Sequence, residues 1–280
     1  MFSKIKLDKL TIEDSSVGII RKEAFSNVEN TLKELSLRNN IMKSIDEKIF
    51  LNLASLKYLD LSGNKLSQLK DSLFSKLVNL ETLLLDNNQI NSNVFKNLQN
   101  LESLNLQTSN IYLDRSVFEL LTSLKKLFLS YNLINSINEG DLNGLLSLQE
   151  LNLDHNKIIK ISSKSFEEVK NLKKLFLNNN LLYYLPKGVF DNLNISNLIA
   201  VDISENKWEC ICEQEWIGSW LSSIGQANTP SGTLGCLVGK CENIPQQQDN
   251  KNNLEIIKKE EENNNLIYWI RLIACILAIS

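Results

Sequence analysis

An eleven-residue pattern, L-x-x-L-x-L-x-x-N-x-(L/I/M), recurs along the chain and limits what it can fold into more than any other feature. Leu32, Leu56 and Leu80 open LKELSLRNNIM, LKYLDLSGNKL and LETLLLDNNQI at a step of 24 residues. The register continues through LESLNLQTSNI from Leu101, LKKLFLSYNLI from Leu124, LQELNLDHNKI from Leu148, LKKLFLNNNLL from Leu172 and LIAVDISENKW from Leu198; upstream, LDKLTIEDSSV from Leu7 fits with Ser15 at the Asn position. About nine consecutive units thus occupy residues 7 to about 209. Within each, L-x-x-L-x-L alternates apolar and polar residues at period two, which predicts a short strand with one buried face. No unit can bury that face alone, so the units must stack their strands in parallel around one continuous core.

The spacing is that of a leucine-rich repeat, and the expected fold class is an α/β repeat: a curved horseshoe solenoid whose parallel strands line the concave side. The ninth-position asparagines, Asn40, Asn64, Asn88, Asn132, Asn156, Asn180 and Asn206, are expected just past each strand. There an amide can satisfy the backbone of the neighbouring turn and build a structural ladder. Ser109 interrupts that series and the Leu80 unit has only 21 residues, so irregular curvature is expected there. Phe25, Phe50, Phe74, Phe166 and Phe190 stand 18 residues after their unit's first Leu, with Phe95 and Phe118 equivalent in two shortened units, which predicts a buried spine of seven of the ten phenylalanines. The pattern resembles the typical extracellular subclass of leucine-rich repeats, whose convex side carries irregular or short helical segments. The repeats are assigned to residues 1–205.

Residues 206–241 contain Cys210, Cys212, Cys236 and Cys241. Four cysteines allow three disulfide connectivities, and a C-x-C followed by a pair also admits a zinc site. Their position directly after the last repeat resembles the C-terminal flanking cap of extracellular leucine-rich repeat proteins. That resemblance implies Cys210 paired with Cys236 and Cys212 with Cys241, and Trp208, Trp216 and Trp220 packing a small helix over the last coil. The short interval between Cys236 and Cys241 departs from the family, where a longer loop is common. Paired cysteines imply an oxidising compartment, and the sequon Asn194-Ile-Ser196 lies in the 26-residue unit, the longest, where surplus residues should bulge to the surface. The opening MFSKIKLDKL enters a repeat without an apolar signal region or a cysteine-bearing cap, so the start is expected to be incomplete.

Residues 242–265, polar and highly charged, are expected to form a flexible stalk. The apolar stretch 266–280 is 15 residues long, or about 22 Å as a helix against a hydrocarbon core of about 30 Å. Three readings are open: the beginning of a transmembrane helix, the tail of a lipid-anchor signal, or a short amphipathic end. Trp269, Tyr268 and Arg271 suit a membrane interface, and Cys275 would then be a lone membrane thiol.

A net charge of −3 lacks the basic excess of a nucleic-acid binder, and a single histidine with few glycines removes most metal, histidine and phosphate-loop chemistries. No enzyme, cofactor or metal is expected. Binding should fall on the third, fifth and seventh strand positions, which point outward, and on the eighth at the edge. One candidate group is Phe128, Asn152 and Phe176, surrounded by Lys126, Glu150, Lys174, Asp154, Tyr131 and His155. Phe128 and Phe176 lie outside the spine, two strand spacings or about 10 Å apart. Aromatic side chains rimmed by mixed charge on a rigid scaffold suit a protein-binding hot spot; the alternative is that the rings pack on cross-strand neighbours and the lysines serve solubility. Glu150 with Asp154 could suggest paired carboxylates, but a flat sheet offers no dry pocket to perturb them. A second, smaller group is Tyr58, Asp60, Leu84 and Asp86.

Repeats, cap, stalk and apolar end together resemble a cell-surface ectodomain of the Toll-like receptor or variable lymphocyte receptor type. The resemblance implies recognition of a protein or microbial ligand in an innate-immune or adhesion setting, with dimerisation as an option, on the extracellular side of the plasma membrane or after secretion. The rivals are a secreted or matrix binder without signalling and an intracellular scaffold with reduced cysteines.

Overall fold

A computed structural model describes residues 6–26, 28, 31–90, 94–113, 117–208 and 214–224, all in the first of the chain's two units, Met1–Lys240. Each repeat contributes one three-residue strand to a parallel sheet: β1 (Lys9–Thr11), β2 (Glu34–Ser36), β3 (Tyr58–Asp60), β4 (Thr82–Leu84), β5 (Ser103–Asn105), β6 (Lys126–Phe128), β8 (Glu150–Asn152), β10 (Lys174–Phe176) and β11 (Ala200–Asp202). Their order in the sheet is their order in the chain. Two further strands, β7 (Ser136–Ile137) and β9 (Lys160–Ile161), form a separate parallel pair after the sheet strands of their repeats. The strands are short because only positions three to five of the pattern are extended in register. Every pairing aligns like with like, as in Leu35↔Leu59 and Leu127↔Leu151.

The apolar positions of the pattern are the core. Leu32, Leu35 and Leu37, and their equivalents Leu148, Leu151 and Leu153, have no exposed surface. Burying a leucine side chain contributes about 1.5–3 kcal/mol, and the repeat multiplies that small gain coil by coil. The spine is also present: Phe25, Phe50, Phe74, Phe95, Phe118, Phe166 and Phe190 are all at or below 4% exposure. Rings of neighbouring repeats meet at 6.2 Å for Phe50–Phe74, 6.4 Å for Phe95–Phe118 and 5.6 Å for Phe166–Phe190. Leu142, 1% exposed, takes the place of phenylalanine in the Leu124 unit.

The asparagine ladder is built as its spacing predicts, and its seven members are between 3% and 7% exposed. Asn64 is representative: Nδ2 donates to the carbonyls of Leu37 and Leu61 at 3.0 Å, and Oδ1 accepts from Met42 N at 3.2 Å. One side chain thus satisfies backbone groups of two coils that would otherwise be buried without partners. Ser109 does not break the ladder: buried, its Oγ donates to Leu85 O at 3.0 Å and its N donates to Asn132 Oδ1 at 3.0 Å. The sheet also passes through the short Leu80 unit without a slip, since Leu83 faces Leu104 and Leu104 faces Leu127.

The last coil is covered by α1 (Glu215–Ser223), whose Ile217 and Leu221 are buried in the same core. Trp216 and Trp220 pack against that core, with Trp220 stacked on Phe190 at 4.5 Å, and Trp208 Nε1 donates to Ile203 O at 3.0 Å. Gln214, fully buried, accepts from Leu185 N and donates to Leu185 O, so its amide substitutes for a missing neighbouring strand. The expected disulfides Cys210–Cys236 and Cys212–Cys241, the stalk and the apolar end lie outside the described residues. Among the described residues, no helix is long and apolar enough to cross a membrane.

Candidate functional site on the concave sheet

Strand register decides which outward side chains meet. In the fifth-position column, Phe128 on β6 and Phe176 on β10 both face Asn152 on β8, and all three are half-buried. The sheet therefore brings the first group together on its C-terminal half. Asn152 Oδ1 is committed to Asp154 N at 3.0 Å, a turn repeated at Asp60, Asn105 and Asp202, so the amide is held in place between the two rings. In the third-position column Lys126, Glu150 and Lys174 stand side by side, with Lys174 Nζ 3.5 Å from Glu150 Oε2.

The edge of this group holds an arrangement that the linear pattern did not reveal. The eighth position of every repeat has a positive φ: Asp14, Asn39, Gly63, Asn87, Thr108, Tyr131, His155, Asn179 and Glu205. In the first eight of these the turn aims the N–H group at the next coil, as in Tyr131 N to Asp154 O at 3.1 Å and His155 N to Asn178 O at 3.1 Å. Asn, Asp and Gly adopt this left-handed conformation readily, and at Gly63 an added Cβ would lie 2.1 Å from Asn39 Oδ1. A tyrosine has no such preference and carries a backbone cost there, which the turn of the repeat imposes at the eighth position of each coil. Tyr131, 56% exposed, stacks on His155 with ring centroids 4.3 Å apart and an interplanar angle of 16°. His155 Nδ1 lies 2.8 Å from Asp154 Oδ2. The available signal was the presence of two successive rings in a column where five of nine residues are Asp, Asn or Gly.

The second group is more internally committed. Asp60 is only 3% exposed, and its Oδ1 accepts from Ser62 N at 2.9 Å and Ser62 Oγ at 2.6 Å. Tyr58 Oη donates to Asp60 Oδ2 at 3.4 Å; burial, with the negative charge of Asp60, pushes the phenol up to about 12. Burial also raises the carboxyl of half-buried Asp86, against the hydrogen bond from Asn87, and Asn105 Nδ2 donates to Asp86 Oδ1 at 3.1 Å. Leu84, beside Asp60 and Asn105 in the column, is half-buried. Glu150 and Asp154 are not a carboxylate pair: one is beside Lys174 and the other beside His155. Over the four outward columns of the nine repeats there are nine acidic side chains against four basic ones, Lys9, Arg38, Lys126 and Lys174. That net of −5 exceeds the −3 of the whole chain. Asn194, the sequon residue, is exposed at the start of a single 3-10 turn, Ile195–Asn197, and its Oδ1 accepts from Ser196 N at 3.1 Å.

A solenoid whose nine-stranded parallel sheet presents an unenclosed, side-chain-lined face is the architecture of a leucine-rich repeat protein of receptor-ectodomain type. The model of the BspA type leucine rich repeat region matches residues 1–119 and 88–207, and the chain belongs to that family. The chain is 34% identical over 174 residues to P-granule-associated novel protein 1 of Caenorhabditis elegans, covering 56% of this chain and 28% of that one. Among solved structures it is similar to the complex of TLR13 with the RNA ssRNA13, with a TM-score of 0.69, 31% identity, and coverage of 72% of this chain and 29% of that one. It is also similar to the octameric complex of Latrophilin 3, Unc5D and the leucine-rich repeats of FLRT2, with a TM-score of 0.71, 31% identity, and coverage of 78% and 67%. The chain spans less than a third of the length of the curated relatives it matches.

Proposed function

We propose that this chain is a non-catalytic recognition module that binds a protein partner on the concave sheet, at the surface made by Phe128, Asn152 and Phe176 and edged by Tyr131 and His155. The carrying observation is the register that sets both rings against Asn152 on rigid, paired strands. Little conformational entropy is lost when a preformed surface of this kind is covered, so two aromatic anchors can supply most of the affinity. A protein partner is favoured over RNA despite the likeness to the TLR13 complex, because a face with an acidic excess repels a phosphate backbone.

The setting we propose is the cell surface or the extracellular space. It draws on the likeness to the FLRT2 complex and on the exposed sequon at Asn194, and it carries with it, as further parts of the proposal, the pairing Cys210–Cys236 and Cys212–Cys241 and residues 266–280 as a membrane-proximal segment after a stalk at 242–265. Receptor signalling and dimerisation belong to the same reading. A second reading, an intracellular scaffold, draws on the name of the worm relative, which associates that protein with P granules. Alkylation of the native chain under denaturing, non-reducing conditions separates the two: a single reactive thiol, Cys275, supports the extracellular reading, and five reactive thiols support the scaffold.

The concave-face assignment is tested by screening the chain against an array of purified extracellular proteins and retesting each binder with the Phe128→Ala/Phe176→Ala double variant and with a Lys164→Ala variant, remote from the sheet. We expect the double variant to lose affinity by at least about tenfold, the effect of removing a hot spot, with an unchanged melting temperature. Lys164→Ala should bind as the parent does. An unchanged affinity in the double variant overturns the assignment.

A further inference from the structure

We infer that Asp154 and the Tyr131–His155 stack form a receptor for an arginine side chain carried by the protein partner. The inference rests on the concave-face reading and names the chemistry taken at its edge. Three observations meet at this point. One carboxylate oxygen of Asp154, Oδ1, is sealed from solvent and has no hydrogen-bond partner in the structure, while Oδ2 is engaged by His155 Nδ1 at 2.8 Å. The Asp154 side chain as a whole keeps 18% of its surface in solvent, so an incoming donor meets the carboxylate at Oδ2, while the charge beside the desolvated Oδ1 is weakly screened and adds to the attraction. Beside it, the Tyr131 ring is backed by His155 at 4.3 Å and remains 56% exposed, so a flat π-surface is presented to solvent. Both residues hold that position from left-handed backbone, which keeps the rings at the rim and adjacent to Asp154.

A guanidinium group fits this combination better than any other protein side chain. It is planar, stacks on aromatic faces, and carries five N–H donors in a fixed fork along its edge, so its face can cover Tyr131 while its edge reaches the carboxylate. A lysine ammonium supplies the charge without the plane. A neutral amide supplies donors without the charge. The other carboxylate of the group, Glu150, already has Lys174 at 3.5 Å, which leaves Asp154 as the acid for an incoming cation. The acidic excess of the sheet draws such a cation in.

The test exploits the fact that His155 is the only histidine in the chain, so its ring C–H signals in a proton NMR spectrum report on the stack without a partner having been identified. The whole chain is titrated at about pH 8 with L-argininamide, L-lysinamide, L-citrullinamide and a single-stranded oligouridylate. The expected result is a saturable shift of the His155 signals with argininamide, with a dissociation constant on the order of millimolar. Citrullinamide, nearly isosteric but uncharged, and lysinamide should each bind at least about tenfold more weakly. Asp154→Asn should weaken argininamide binding to a similar degree. Tyr131→Asn, which removes the ring but keeps a residue suited to the left-handed turn, should do the same and guards against a folding defect in the first variant. No saturable shift with argininamide, equal binding of citrullinamide or lysinamide, or titration curves unchanged in both variants overturns the inference. A shift with the oligouridylate alone overturns it in favour of a nucleic-acid partner. The Phe128→Ala/Phe176→Ala variant should still take argininamide, so an absent cradle with partner binding still dependent on the two phenylalanines counts against the cradle alone.

Discussion

Asp86 shows how a single side chain on the concave sheet carries a cost that the fold tolerates. Burial raises its carboxyl above the ordinary range, so the ionised form is disfavoured in the folded chain relative to the unfolded one. A folded-state value above the unfolded one means that this contribution to stability is greatest where the carboxyl is protonated in both states, and is lost as the pH rises through the raised folded value. Asp86→Asn should therefore melt slightly higher than the parent at neutral pH, by less than about 0.5 kcal/mol because the side chain is only partly buried and solvent screens it. The gain should disappear in melting curves recorded below the ordinary carboxylate range. A variant less stable at neutral pH would mean that the hydrogen bonds from Asn87 and Asn105 outweigh the burial penalty.

At the scale of the repeat, the ladder is the element that holds one coil to the next. Replacing Asn64 by Ala leaves Met42 N without its acceptor and the carbonyls of Leu37 and Leu61 with fewer donors, all in a buried setting. The expected cost is about 2–3 kcal/mol in denaturant unfolding, without loss of partner binding, because Asn64 is remote from Phe128 and Phe176. This layer was legible in the sequence because its periodicity has few physical solutions: alternating leucines can only line a core, and an asparagine fixed three residues past the last strand leucine can only serve the turn. Phe25 to Phe190 were equally legible, since a large apolar residue at constant offset must be buried in every coil. The eighth column was not. A positive φ at Asn39, Asn87 or His155 agrees with residue type, but Tyr131 carries no such preference, and its stacking on His155 depends on two successive turns of the same hand placing two rings one coil apart. The commitment of Asp60 to Ser62 was hidden for a related reason, because outward direction along a strand does not say whether a neighbour will cover the side chain.

From the Leu32 unit onward core and ladder recur in every repeat, with Ser109 in place of asparagine once, whereas the outward chemistry is not shared evenly. Phe128, Phe176 and the Tyr131–His155 stack gather around β6, β8 and β10, while acid is spread over both parts of the sheet, five acidic against two basic side chains in the repeats of β1–β5 and four against two in those of the remaining strands. Rigid, continuous backbone pairing lets these two regions act as fixed parts of one surface, which is the physical basis for recognition without rearrangement. The most direct measurement of that claim is hydrogen–deuterium exchange on the whole chain, with and without a partner identified on the protein array. The account predicts added protection confined to residues 126–131, 150–155 and 174–179, with exchange elsewhere unchanged. Protection centred on the convex segments, or spread evenly over all coils, would contradict it.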